Sequence, residues 1–209
     1  MSGRWNKPFL RRIKLSEMEP RVIEAEYKAR LADAGAVRDK LAALTTADVV
    51  SYHDTYFDDL DESLTATGRE FRLRTIRNEE GALRHLLTFK DAAVDQETAS
   101  KPEYETVVDQ RDAIEQIIQR LGYQPKISFT KQCENHRFIA AGREMLATVV
   151  TVPEIHGTFL ELETLVDTED DLDNALADLR TVLTALEVSS DQLTTELYTD
   201  AVRASRHTR

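Results

Sequence analysis

The sequence predicts an α+β fold: one antiparallel sheet of eight strands, curled toward closure, with helices flanking it. Three observations predict it. Eight segments alternate apolar and polar residues and carry the Tyr, Phe, Val, Ile and Thr content of strands. Most of them are joined by short turns, as in an antiparallel sheet. A few other segments instead space their aliphatic residues at the 3.6-residue helical period.

Taken in order, residues 1–19 form a basic leader ("MSGRWNKPFLRRIKLSEME") without the apolar stretch of a signal peptide, and it reads as flexible. Strands are expected over 21–31, 50–58, 69–78, 82–91, 101–108, 126–139, 143–153 and 158–166. The first helix, 34–44, stripes Val37, Leu41 and Leu44. The second, 109–122, aligns Ile114, Ile117, Ile118 and Leu121, begins with acidic residues and stops at Gly122. The third, 168–188, carries Leu172, Leu176, Leu179, Leu183 and Leu186 behind an acidic first turn. A last helix is expected over 190–205. No linker, repeat or low-complexity stretch divides the chain, so 20–205 reads as one domain.

Composition narrows the function classes. With 27 Lys and Arg against 38 Asp and Glu, the formal net charge is −11. That argues against a nucleic-acid partner, which needs a positive surface to displace counterions from phosphates. A small phosphorylated ligand remains compatible, because a local cationic pocket can hold one. No run approaches the roughly 18 apolar residues of a membrane span. The one cysteine, Cys133, excludes an internal disulfide, and the cytosol is the default location.

The strands carry ionisable doublets. "IEAEYKARL" (23–31) sets Glu24, Glu26, Lys28 and Arg30 at every second position, and side chains at that spacing share one face. "FRLR" pairs Arg72 with Arg74, "LTFK" pairs Thr88 with Lys90, "EYE" pairs Glu103 with Glu105, and "FLELE" pairs Glu161 with Glu163. Lys131, Cys133, Asn135 and Arg137 share a face as well. Each doublet alone fits the wet face of an antiparallel sheet. Together they are segregated by sign, acids on 24/26, 103/105 and 161/163 and bases on 72/74, whereas a solvated face usually mixes signs across neighbouring strands. Faces lining an enclosed interior explain the segregation. There, carboxylates would hold a hard divalent cation and arginines would grip phosphate oxygens.

These residues resemble a family. "EAEYK" looks like the ExExK signature of the CYTH superfamily, the triphosphate tunnel metalloenzymes, which include class IV adenylate cyclases, thiamine triphosphatases and inorganic triphosphatases. The likeness continues through "HDTYFDDLDESLTATGREFRLRTI", "LTFK", "EYE", "ISFTKQCENHRF" and "HGTFLELE", over about residues 21–166, and is closest to the class IV cyclases. It implies an eight-stranded closed antiparallel barrel, a tunnel open at its ends. It implies Glu24, Glu26 and Glu161 as ligands of Mg²⁺ or Mn²⁺, with Glu103, Glu105 and Glu163 as a second acidic set. Lys28, Arg72, Arg74, Lys90 and Lys131 match the family's phosphate-binding cations, and Lys28, Arg72 and Arg74 are the expected catalytic groups. A pair of barrels is the oligomer the resemblance suggests.

Three positions depart from the cyclase pattern. Cys133 stands where an arginine is expected, His136 where an aromatic is, and Thr151 where an aspartate usually lies ten residues before Glu161. Arg137, on the same face as Cys133, is a candidate substitute for the missing guanidinium. Three functions follow as expectations: cyclisation of ATP to cyclic AMP and pyrophosphate, hydrolysis of a triphosphate or related phosphate ester, and binding of a phosphate ligand without turnover. Cys133 as a nucleophile has no supporting motif, and His53, His85, His136 and His156 lack metal-ligand spacing.

Overall fold

Residues 22–95, 98 and 100–208 are described by a computed structural model. The expected leader, 1–19, with Trp5 and its cations, lies outside them. Eight antiparallel strands close into a barrel in the order β1-β5-β4-β3-β2-β6-β7-β8. Their spans are β1 Val22–Arg30, β2 Asp48–Asp58, β3 Glu70–Asn78, β4 Leu83–Lys90, β5 Lys101–Val108, β6 Gln124–Ala140, β7 Arg143–Thr151 and β8 Thr158–Val166. The alternation that marked each segment as a strand is the inside–outside alternation of this barrel. Among the described residues no helix is long and apolar enough to cross a membrane.

Closure has one weak seam. β1 pairs with β8 from Ile23 to Arg30, but with β5 only from Val22 to Glu24. Elsewhere the chain supplies partners to that exposed edge, as unpaired backbone groups require. Ser100 Oγ accepts from Glu26 N at 3.3 Å, Leu193 bridges Ala29, and Thr194 N donates to Lys28 O at 2.9 Å. This corrects the expected last helix. Leu193 and Thr194 pair with β1 instead, residues 195–197 are irregular, and the helix α5 runs only from Tyr198 to His207.

The other helices are α1 Ala34–Leu44, α2 Ser63–Ala66, α3 Arg111–Arg120 and α4 Leu172–Ala185. On α4 every leucine of the expected stripe is buried against the outer faces of β1, β7 and β8, where Ala25, Ala29, Ala147, Leu160 and Leu162 pack. Leu186 lies just past the helix end. α1 buries Val37 and Leu41 but leaves Leu44 56% exposed. α3 packs Ile114 and Ile118 near Phe57 and Leu73, whereas Ile117 and Leu121 face solvent, so only half of that stripe is core. The α2 turn is held by Asp58, whose carboxylate accepts from Leu64 N, Thr65 N and Thr65 Oγ1 at 2.7–3.0 Å. Leu162 is fully buried between barrel and α4. Leu162→Ala should cost about 2–5 kcal/mol in a denaturant titration, the range for a core leucine whose site cannot collapse.

Candidate active site

Every second residue of each strand points into the barrel, and the doublets meet there. Glu24, Glu26, Lys28, Arg72, Arg74, Lys90, Glu103, Glu105, Lys131, Arg137, Glu161 and Glu163 all line one cavity of about 420 Å³. β3, which carries Arg72 and Arg74, sits halfway round the ring from β8, which carries Glu161 and Glu163. A cationic wall therefore faces an acidic one. β1 stands beside β8 in register Glu26↔Glu163 and Lys28↔Glu161, which concentrates the acids further.

The acidic wall is crowded. Glu26 and Glu163 are cross-strand neighbours, and ionising both would set like charges side by side, an arrangement that destabilises a sheet. Burial, with the carboxylates of Glu24 and Glu161, pushes the Glu26 pKa up to about 7. Burial, then Glu24 and Glu26, raises Glu163 well above the carboxylate range. Glu161 goes the other way: burial opposes its charge, but Lys131 and then Lys28 hold it down at about 2. Lys131 Nζ is 3.4 Å from Glu161 Oε1. Lys90 bridges Glu24 and Glu103, the latter at 3.0 Å, and these acids keep it charged despite burial.

A divalent cation would relieve the crowding around Glu26 and Glu163, and their oxygens are the hard donors that Mg²⁺ or Mn²⁺ takes. Among the described residues no three His, Cys, Asp or Glu side chains form a ready metal cage. The donor set fits an ion held by one or two carboxylates that draws its other ligands from substrate and water.

The two arginines of the opposite wall differ. Arg74 donates from Nε and Nη2 to the two Asp54 oxygens at 2.7 and 2.8 Å, and its guanidinium lies 4.2 Å from the centre of the Tyr52 ring. Against the cost of its own burial, the Arg74 cation holds Asp54 far below the usual range. Arg72 is less engaged. Nη2 donates to Thr88 Oγ1 at 3.3 Å, Glu105 is 4.0 Å away, and the buried Nε has no hydrogen-bond partner.

The end of the tunnel nearest α5 is covered rather than open. Tyr198 and Val202 are buried in a cluster with Phe129, Val152 and Phe159. Lys28 Nζ and Lys131 Nζ lie 4.3 and 4.7 Å from the centre of the Tyr198 ring, and Lys28 also donates to Glu196 O. The Tyr198 hydroxyl is buried without a hydrogen bond of good geometry. Burial, then the nearby Glu161 carboxylate, keeps that phenol protonated.

The departures resolve physically. Cys133 does face inward, but it sits with Val50 and Val150, and burial pushes its thiol up to about 12. It is a protonated apolar side chain. Arg137 does not compensate for it: the two are four residues apart, about 13 Å along a strand. Asn135 stands between them, bonded to Tyr52 and Thr148. Thr151 belongs to the outer face, while its neighbours Val150 and Val152 are buried in the interior cluster, so a one-residue shift recovers no carboxylate there. His136 packs outside, with Nδ1 3.4 Å from Thr45 O.

Other residues in and around the cavity escaped the sequence reading. Glu70, ion-paired with Lys101 at 2.6 Å, extends the 70/72/74 alternation, and Lys101 that of 101/103/105, so both were legible in principle. Asp54 was visible within "DTYFD", but its pairing with Arg74 was not. Tyr198 had no signal at all.

The comparisons agree with this geometry. A CYTH domain model matches residues 22–198. A "putative adenylate cyclase" of Methanocaldococcus jannaschii is 25% identical over 179 residues, 85% of this chain and 97% of that protein. The PH1819 protein of Pyrococcus horikoshii superposes with a TM-score of 0.75 at 22% identity, covering 88% of this chain and 99% of the other. A Hippeastrum protein, described as a putative adenylyl cyclase with dominant triphosphatase activity, gives 0.61 at 14% identity, covering 88% and 95%. At such identities these two likenesses are of fold. The family match spans most of the chain and all eight strands of a barrel lined by the doublets. The chain belongs to the CYTH-domain family.

Proposed function

We propose that this chain, as one domain over 20–205, is a divalent-metal-dependent enzyme that breaks a phosphoanhydride bond of a nucleoside triphosphate held in the tunnel. The observation that carries the reading is the pair of opposed walls. A buried guanidinium with an unpartnered Nε faces, across a cavity of about 420 Å³, carboxyl groups whose burial and crowding raise the Glu26 and Glu163 pKa values. A metal–triphosphate complex supplies what both walls lack.

Arg72 grips phosphate oxygens through its free edge, and Arg74, fixed by Asp54, presents a positioned charge beside it. Lys131 and Lys28 neutralise the phosphates nearer α5, and burial lowers the Lys28 pKa. One or two of Glu24, Glu26, Glu161 and Glu163 would hold the metal. When bound, Mg²⁺ or Mn²⁺ screens phosphate charge and polarises the bond to be broken. The protein's own contribution is alignment and charge neutralisation, which dominate phosphoryl transfer.

The first reading is cyclisation, in which the ribose 3′-hydroxyl attacks the α-phosphorus and pyrophosphate leaves. The second is hydrolysis of the triphosphate, in which water attacks in place of the ribose hydroxyl. Either nucleophile must lose a proton, and the inner face of β7 offers Thr148, Val150 and Val152, none a base at neutral pH, so in both readings the acceptor comes from another strand. Incubation with ATP and Mg²⁺ or Mn²⁺ separates the two. Cyclic AMP with pyrophosphate establishes the first, and ADP with phosphate the second. A rise in Tm with intact ATP shows binding alone. No shift and no product removes the proposal.

Arg72→Ala should weaken nucleotide binding roughly 10- to 100-fold, the loss of a charge-assisted hydrogen-bond pair. The check is a titration monitored by Tm, and an unchanged affinity would place the phosphates elsewhere.

A further inference from the structure

The last helix brings one side chain to the cavity from outside the barrel. Tyr198 opens α5 and is buried against Phe159, with the ring centres 5.2 Å apart and the planes at 89°. α5 is itself tied down. Ser205 Oγ donates to Glu154 O at 2.6 Å, and Arg206 donates to the Glu154 carboxylate at 2.7 and 2.9 Å. The Tyr198 ring is therefore a fixed platform, and two cations from different strands lie over it: Lys28 Nζ of β1 and Lys131 Nζ of β6. The stretch just before α5 adds to the hold on Lys28, whose carbonyl accepts from Thr194 N at 2.9 Å and whose ammonium group donates to Glu196 O.

We infer that Tyr198 is a positioning residue: its ring gathers the Lys28 and Lys131 ammonium groups in one place before a phosphate arrives. Left to themselves, two like charges on flexible four-carbon stems would stay apart. The negative face of an aromatic ring attracts both. Glu161 attracts them too, but a carboxylate cancels their charge, whereas the neutral ring leaves it available to phosphate oxygens. An entering anion then meets two cations already in place, and its binding is not weakened by the entropy of ordering them. The hydroxyl takes no part, since it is buried without a hydrogen bond of good geometry. This role rests on the reading that phosphates occupy the charged middle of the tunnel, and it makes α5 part of the site as well as its cover.

The test uses the full chain with Mg²⁺ and ATP as the probe, and apparent Kd read from the rise in Tm over each variant's own ligand-free value. Tyr198→Phe keeps the ring and should bind ATP within about twofold of the parent. Tyr198→pentafluorophenylalanine keeps the ring's shape but inverts its charge distribution, and ATP affinity should fall roughly five- to tenfold. A side chain that only filled space would not distinguish the two rings. Equal affinities in the two variants would overturn the positioning role while leaving the phosphate reading intact. So would a Tyr198→Phe loss as large as that of the fluorinated ring, because the hydroxyl would then be the active part. Failure of ATP to raise the Tm of the parent would instead overturn the phosphate reading, and the positioning role with it.

Discussion

Glu26→Gln is expected to lower metal-dependent turnover by roughly 100-fold or more while the metal-free protein becomes no less stable. Most substitutions at buried charged positions harm both properties, so the opposite movement is diagnostic. Glu26 faces Glu163 across the β1–β8 ladder, with Glu24 and Glu161 close by. Glutamine keeps the shape, removes one charge from the crowd, and cannot serve as an anionic metal ligand. The pH dependence has a definite sign. The Glu26 pKa is raised in the folded state to about 7, so its favourable contribution is complete below the ordinary carboxylate pKa and disappears as pH rises through 7. With chelator present, Tm of the parent should therefore fall over that interval, and Glu26→Gln should flatten the fall. Kinetics against Mg²⁺ concentration, with Tm against pH, check both halves. Undiminished turnover would remove Glu26 from the metal site.

Asp54→Ala is expected to cost about 3–5 kcal/mol of stability in a denaturant titration, the range for removing one partner of a buried ion pair. Asp54 is fully buried and holds Arg74 through two bonds. The cost arises mainly because Arg74 would stay charged and buried with its partner gone. Replacing both residues by apolar ones of similar volume should recover much of the loss. Since Asp54 is held below its ordinary pKa, the pair's stabilisation is present above about pH 4 and is lost as pH falls through the lower folded value. A loss under about 1 kcal/mol would mean that water reaches the pair, as it does in exposed ion pairs.

Much of the architecture was legible in local sequence. Strand and helix periods are set by neighbouring residues, and both the eight strands and the leucine stripe of α4 follow from them. The segregated doublets said that several faces share an interior, because alternation assigns a side chain to a face without reference to any other strand. Where local pattern misled, a distant partner had taken over. Leu193 and Thr194 lie in a segment of helical spacing but pair with the edge of β1, and α3 buries only half of its stripe against the barrel.

Sequence by itself determined which residues point inward and which sign each strand contributes, since both depend on a two-residue repeat along the backbone. Tertiary structure alone decided which charges meet. Ring order set β3 opposite β8, register gave Arg74 to Asp54 and left Arg72 underused, and α5 closed one end with Tyr198. Those pairings depend on strand order and shear, which are properties of the closed sheet and of no single segment within it.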